Sequence, residues 1–379
     1  MQNLSERDLD LIQRAKYTFE KNTLIPREDE TNGWGDYPAC CPSWKVYRGV
    51  WNWYSCFHAM GIARYNPEFS KNQIQFFFDS QREDGCFIDC TELNGSYSDT
   101  ISKPPVIFWA VKRIYDATHD MEWLRDKYPR LQKGLAFWNE KRCEGGLYFY
   151  SVDSESNKAQ APKWESGWDN SPRFDGDITS DIWSVDLCCY MVIAYESMAY
   201  IAETLGHSDD AAVYMKERDA LAQRIESTLF DHSAGGYSDC FKDGRGFTDI
   251  FSPASFMPLF AGISSGEHAA AMAKMAEDEN KFFPLMPAVS YDSPAYTPDL
   301  YWRGPCWINI AAMAIMGLYR MGYTKLALEY RERILDMCAN EKRGLFEYYN
   351  SRTGEGLGAI DYGWTATFVM ELIFMEEAF

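Results

Sequence analysis

Residues 163–177 read KWESGWDNSPRFDGD, which crowds acids, two tryptophans, a phenylalanine and an arginine around Gly167 and Pro172. A solvated loop carries acids without aromatics and a core segment the reverse, so the mixture marks a site. The same pairing of acid with Trp or Tyr recurs in QREDG (81–85), SKPPVIFW (102–109), DLYWRGPCW (299–307), GLFEYYNSRTGEG (344–356) and DYGWT (361–365). Flat aromatic faces that pack on sugar C–H surfaces, with carboxylates, Arg and Asn for the hydroxyls, make a carbohydrate pocket. Cleaving a glycosidic bond needs one protonated carboxyl for the leaving oxygen and one ionised carboxyl on the opposite face of the ring. Asp169 suits the first role, because the restricted backbone beside Trp168 desolvates its carboxyl and raises its pKa. Glu347, between Phe346 and Tyr348, suits the second, with Glu355 and Asp361 as alternatives.

Such residues need elements to bring them together. Apolar periodicity near 3.6 predicts twelve helices, over about 4–21, 51–65, 67–80, 104–118, 120–141, 179–205, 208–230, 253–262, 265–278, 304–322, 324–341 and 362–377, with little strand. Odd members are amphipathic, such as DDAAVYMKERDALAQRIESTLF, and even members are apolar nearly all round, such as PCWINIAAMAIMGLYRMGY. A helix apolar around its circumference must be surrounded by protein, whereas one with a single apolar stripe can cover it from outside. The alternation predicts an all-α (α/α)6 toroid, a six-hairpin barrel. Inner-to-outer links are very short, as at Gly206–His207, while the outer-to-inner loops 22–50, 81–103, 142–178, 231–252, 279–303 and 342–361 are far longer than the usual 4–6 residues. All the long loops therefore fall on one mouth, and the acid-aromatic segments lie on them. No low-complexity linker divides the chain, so residues 1–379 read as one catalytic domain.

Composition narrows the partners. The 379-residue chain carries a formal charge of −19, which repels a nucleic-acid backbone and tolerates a neutral sugar. No window approaches the roughly 20 uncharged apolar residues of a membrane span, and the acidic amphipathic start lacks the features of a secretory signal, so the expectation is a soluble, cytoplasmic protein. Eleven cysteines without zinc-ribbon spacing read as reduced thiols, the Cys86/Cys90 pair included, and the five histidines show no metal spacing. Neither a metal nor a cofactor is expected; the partner is a small-molecule carbohydrate.

ESGWDNSPRFD at 165–175, KPPVIFWAV at 103–111, YWRGPCWIN at 301–309, EYYNSRTGE at 347–355 and YGWTATFVMELI at 362–373 resemble, in order, the motifs of glycoside hydrolase family 63, the trehalase-related inverting α-glycosidases. The resemblance covers the chain from about residue 50 to its end and implies an (α/α)6 barrel. It implies Asp169 as general acid and Glu347 as general base of an inverting, exo-acting α-glycosidase. Position on these motifs makes Trp302 and Trp364 aromatic platforms, Arg303 a forked donor, and Glu165, Gln81 and Lys103 polar contacts to the sugar. Asn170 and Arg173 would hold the acid loop in shape, and Asp175 and Asp177 would favour the entry of the helix near 179. Residues 51–55 read WNWYS where the family pattern is of the type W-D-W-D-S, whose aspartate contacts sugar hydroxyls. Asn52, Trp53 and Tyr54 are then left to meet the sugar through neutral contacts, which opens the site to another glycone or an anionic one. Competing functions are a sugar epimerase or isomerase of the same architecture, with His58 as its base, and a non-catalytic sugar-binding protein.

Overall fold

The computed structural model describes residues 4–25, 37–92, 97–151, 161–176 and 181–377. Its helices are α1 (Glu6–Asn22), α2 (Asn52–Ala63), α3 (Pro67–Asp79), α4 (Ile107–Thr118), α5 (Met121–Lys141), α6 (Ala161–Ser166), α7 (Val185–Leu205), α8 (Ser208–Thr228), α9 (Met257–Phe260), α10 (Gly266–Glu277), α11 (Ile308–Arg320), α12 (Thr324–Asn340) and α13 (Gly363–Ile373). The inner helices touch in the cyclic order α2, α4, α7, α9, α11, α13 and back to α2, while α1, α3, α5, α8, α10 and α12 pack outside them. The fold is therefore the all-α (α/α)6 toroid expected from the alternation of helix character. Burial follows: every residue of α13 is buried, whereas α8 buries only Ala211, Leu221 and Ile225. The α7 helix is long and apolar enough by composition to cross a membrane, contrary to the expectation that no segment is, and the ring accounts for its apolarity because the helix is mostly buried within the protein.

The short links stop one helix and start the next in two to five residues. Asn66 Oδ1 accepts from the Phe69 N–H at 3.4 Å with Pro67 opening α3, and Asp120 Oδ1 accepts from the Trp123 N–H at 3.0 Å to open α5. The short α6 lies in an expected loop, and two of the twelve expected helices differ from the sequence expectation. The fourth inner helix is a 3₁₀ turn, Pro253–Phe256, followed by the single α-helical turn of α9, because Pro253 and Pro258 each remove a backbone donor. The third begins at Val185 rather than near 179, so Asp175 is not its entry acid; Asp177 lies outside the described residues.

The long loops carry short antiparallel ladders that apolar periodicity does not reveal. One three-stranded sheet joins Gly49–Trp51, Cys90–Glu92 and Tyr97–Ser98, tying the first two long loops together. A hairpin of Phe346–Tyr349 with Gly356–Ile360 forms the last loop. Its far edge is pinned by reciprocal backbone bonds between Tyr349 and Cys306 at 2.7 and 2.9 Å. The ring is closed by a buried ion cluster: Glu371 on α13 accepts from Arg64 at the end of α2 (2.8 Å) and from Arg113 on α4 (3.0 Å).

Candidate active site

The mouth with the long loops holds a cavity of about 450 Å³ lined by Tyr47, Trp51, Tyr54, Asp89, Lys103, Trp164, Asp169 and Tyr301 among others. Asp169 enters it from a loop held rigidly from below. Gly167 has φ +77°, and its Cα packs so close to the Trp53 ring that a Cβ would stand 2.6 Å from it, so only glycine fits. Four residues after Asp169, the fully buried Arg173 guanidinium forks between two carboxylates. It reaches Asp186 at 2.7 and 3.1 Å and Asp239 at 2.8 and 2.9 Å. Asn170 Oδ1 accepts from the Trp302 backbone N–H at 2.8 Å, and Arg303 donates to the Asn170 carbonyl at 3.1 Å and to Asp175 at 2.7 Å. The Asp169 carboxyl is open to the cavity yet walled by protein elsewhere, and this enclosure raises its pKa against the opposing charge of Lys103 and the Tyr301 hydroxyl, which donates at 3.2 Å.

Glu347 sits on the hairpin of the last loop and is buried. Its Oε2 accepts from the Ala359 N–H at 2.9 Å, across a hairpin where Gly358, at φ +72°, leaves no room for a Cβ beside the carboxylate. Its Oε1 accepts from the Tyr362 hydroxyl at 3.1 Å and the Tyr47 hydroxyl at 3.5 Å. Burial outweighs these three donors, and with the charge of Asp169 it pushes the carboxyl up to about 7. Tyr47 lines the cavity, so Glu347 stands one side chain behind its wall, while Tyr54, Tyr301 and Tyr47 each sense the charge of both acids. Two carboxyls from different loops thus flank the tyrosines of the cavity wall, Asp169 on the open side and Glu347 behind. Asp361, in contrast, is committed to Lys21 at 2.7 Å, and Glu355 is exposed on the hairpin turn.

Residues 47–365 match the mannosylglycerate hydrolase MGH1-like glycoside hydrolase domain. The chain belongs to this family. It is a glycoside hydrolase. It is 26% identical to mannosylglycerate hydrolase MGH2 of Selaginella moellendorffii, over 88% of this chain and 82% of that protein. It is 24% identical to the mannosylglycerate hydrolase of Rubrobacter radiotolerans, over 96% and 97%. The crystal structure of a family 63 mannosylglycerate hydrolase from Thermus thermophilus with glucose superposes with a TM-score of 0.78 at 22% identity, covering 95% of this chain and 99% of that one.

Of the family-motif residues, Asp169, Lys103 and Tyr54 line the cavity, and several others do not. Trp302 and Trp364 are fully buried rather than open platforms: Trp302 stacks on Trp307 at 3.8 Å, and Trp364 lies under the Tyr54 ring at 4.3 Å and 8°. Trp53 is likewise buried, against Trp364 at 5.3 Å. Asn52 turns away to donate to the Ile88 carbonyl at 3.2 Å and the Phe87 carbonyl at 3.4 Å. Gln81 is occupied by the Gly85 and Arg130 carbonyls at 2.8 and 2.9 Å. Glu165 is completely buried, accepting from Arg142 at 3.0 and 3.1 Å and from the Ser151 N–H at 2.6 Å, so it braces loops instead of meeting sugar. Arg303 holds the Asn170 carbonyl of the acid loop and Asp175; Arg173 holds side chains rather than the loop backbone. His58 is buried outside the cavity, which removes the base expected of an isomerase. Among the described residues no group of three or more His, Cys, Asp or Glu is arranged to hold a metal.

Sequence reasoning missed Tyr47, Trp51, Asp89 and Tyr301. Tyr301 and Trp51 stood inside motifs already marked, one residue from Trp302 and from Asn52. Asp89 follows QREDG by four residues and carries no neighbouring aromatic pattern other than Phe87.

Proposed function

We propose that the chain hydrolyses a small α-linked glycoside with inversion, Asp169 protonating the leaving oxygen and Glu347 activating the water. The observation that carries this reading is the pair of carboxyls on separate loops, both shifted towards the protonated form by enclosure, with Asp169 on the cavity wall and Glu347 behind Tyr47. In the reaction Asp169 must be protonated and Glu347 ionised. The three donors around Glu347 favour its ionised form, and a water between Tyr47 and the sugar would give its proton to the Tyr47 oxygen as the Tyr47 hydroxyl proton passes to Oε1. Glycosyl-glycerates head the substrates to try, because the relatives described above are named for mannosylglycerate. Closure of the inner helices from α2 to α13 supports one catalytic domain. Eleven free cysteines, mostly buried, fit a reducing compartment such as the cytoplasm.

The test is to incubate the protein with α-linked mannosides, glucosides and galactosides, glycosyl-glycerates included, and follow the first anomer released by proton NMR. A β-configured product is expected, and Asp169→Asn and Glu347→Gln are each expected to lower turnover by at least about a hundredfold. An α-configured first product, or undiminished rates in either variant, overturns the assignment.

A further inference from the structure

Besides Asp169, the carboxyl of Asp89 lines the cavity and has no part in a two-acid reaction. Asp89 is fixed at the edge of the three-stranded sheet, its carbonyl accepting from the Asn52 N–H at 2.8 Å and its N–H donating to the Ser98 carbonyl at 3.1 Å. The residue is 7% exposed, yet its Oδ1 has no hydrogen-bond partner among the described residues. Its nearest cation is the Lys103 ammonium at 3.7 Å, beyond hydrogen-bonding distance. Lys103 is itself buried, donates to the Trp164 carbonyl, and is the one cation among the described residues lining the cavity. A buried carboxylate oxygen left without a donor is costly, and sites keep such groups where a ligand supplies the missing bond.

We propose that Asp89 and Lys103 form a hydroxyl-reading pair, in which the carboxylate accepts from one hydroxyl of a neutral glycone and the ammonium donates to the next. The inference rests on the glycosidase reading of the same cavity. Charge favours a neutral diol over an anionic group. Asp89 and Glu92 share the wall with a single ammonium, so a carboxylate seated between Asp89 and Lys103 would meet more negative than positive charge, and the carboxylate of a glycosyl-glycerate would lie away from this pair. A hydroxyl is both donor and acceptor, so two adjacent ones satisfy the acid and the ammonium together without adding charge. The same lining includes Tyr47, Trp51 and Tyr54, whose ring faces and edges suit the C–H surface of a sugar. With Tyr54 where the family pattern carries an aspartate, a carboxylate has entered the cavity from the neighbouring loop instead.

The pair is tested by binding as well as by turnover. D-mannose and D-glucose, their singly deoxygenated counterparts and, as an anionic control, sodium D-glycerate are titrated calorimetrically into the wild-type protein, Asp89→Asn and Lys103→Gln. At least one sugar is expected to bind the wild type. Removing either of two neighbouring hydroxyls should weaken it about tenfold or more, and Asp89→Asn should weaken the parent sugar similarly while leaving the matching deoxy sugar unchanged. Because Asp89→Asn can perturb folding, Lys103→Gln gives the second arm, with the same pattern expected at the adjacent hydroxyl. Equal losses for every sugar, unchanged affinity in both variants, loss of D-glycerate binding alone in Lys103→Gln, or no sugar binding to the wild type each overturn the pair. Turnover separates the two readings: sugar binding that depends on Asp89, in a wild-type protein that turns over no glycoside, sinks the glycosidase reading and leaves the pair standing.

Discussion

At the scale of single residues, Glu347 is a balance of opposed effects. Burial lifts its carboxyl, the Ala359 N–H, Tyr362 and Tyr47 pull it down by hydrogen bonding to the ionised form, and the balance stands at about 7. Tyr362→Phe deletes the 3.1 Å donor. The pKa of Glu347 should then rise further, and the limb of the kcat/KM profile near pH 7 should move to higher pH, whereas Lys103→Gln should leave that limb in place. Rates measured from about pH 4 to 9 on one substrate check this, and an unmoved limb in Tyr362→Phe separates Glu347 from it. The two acids were legible in sequence because each stood amid aromatics on a long loop. Which aromatic faces the cavity was not. Trp302 and Tyr301 are neighbours, and only the turn between loop and helix, with Tyr301 at φ +43°, decides that the tyrosine points out and the indole in.

At the scale of elements, the acid loop is shaped from beneath by charge. Arg173 is buried between Asp186, in the first turn of α7, and Asp239, which also accepts from the Val185 N–H at 2.9 Å. Removing one member of a buried cluster leaves uncompensated charge and costs about 3–5 kcal/mol. Arg173→Met should therefore destabilise the protein by that order in urea unfolding, and Arg173→Lys by less, since an ammonium keeps the charge and loses the fork. The helices that carry these loops were readable because burial on all sides and burial on one side leave different apolar patterns. Helix ends were readable where Asn, Asp, Pro or Gly marked them. The ladders in the loops were not, since their strands are two to five residues long and exist through pairing with segments far along the chain, as Val50 does with Thr91.

At the scale of the whole molecule, the ring must close, and Glu371 is the fastening. Burial alone would lift its carboxyl, but Arg113 and Arg64 outweigh it and hold the pKa at about 2. A carboxyl depressed in the folded state adds stability above its unfolded pKa, near 4.5, and that stability fades as pH falls towards 2. The shift corresponds to about 3 kcal/mol at neutral pH. Glu371→Gln should lose roughly that much at about pH 7, and the gap to wild type should shrink in acid; a constant gap down to about pH 3 would show that the ion cluster is not its source. The toroid itself was the most legible feature, as it follows from twelve helices and six long loops without any knowledge of which side chains meet. The tryptophans that fill its centre have a consequence of a different kind. Trp302 and Trp307 lie parallel at 3.8 Å, with Trp168, Trp53 and Trp364 within 4.9–6.4 Å of Trp302. Indoles this close exchange excitation, so light absorbed by any of them is shared across the cluster. Its outer face is the Tyr54 ring, stacked on Trp364 at the cavity wall. The molecule therefore carries a built-in optical antenna whose emission should change colour or yield when a sugar displaces water beside Tyr54, with no dye attached.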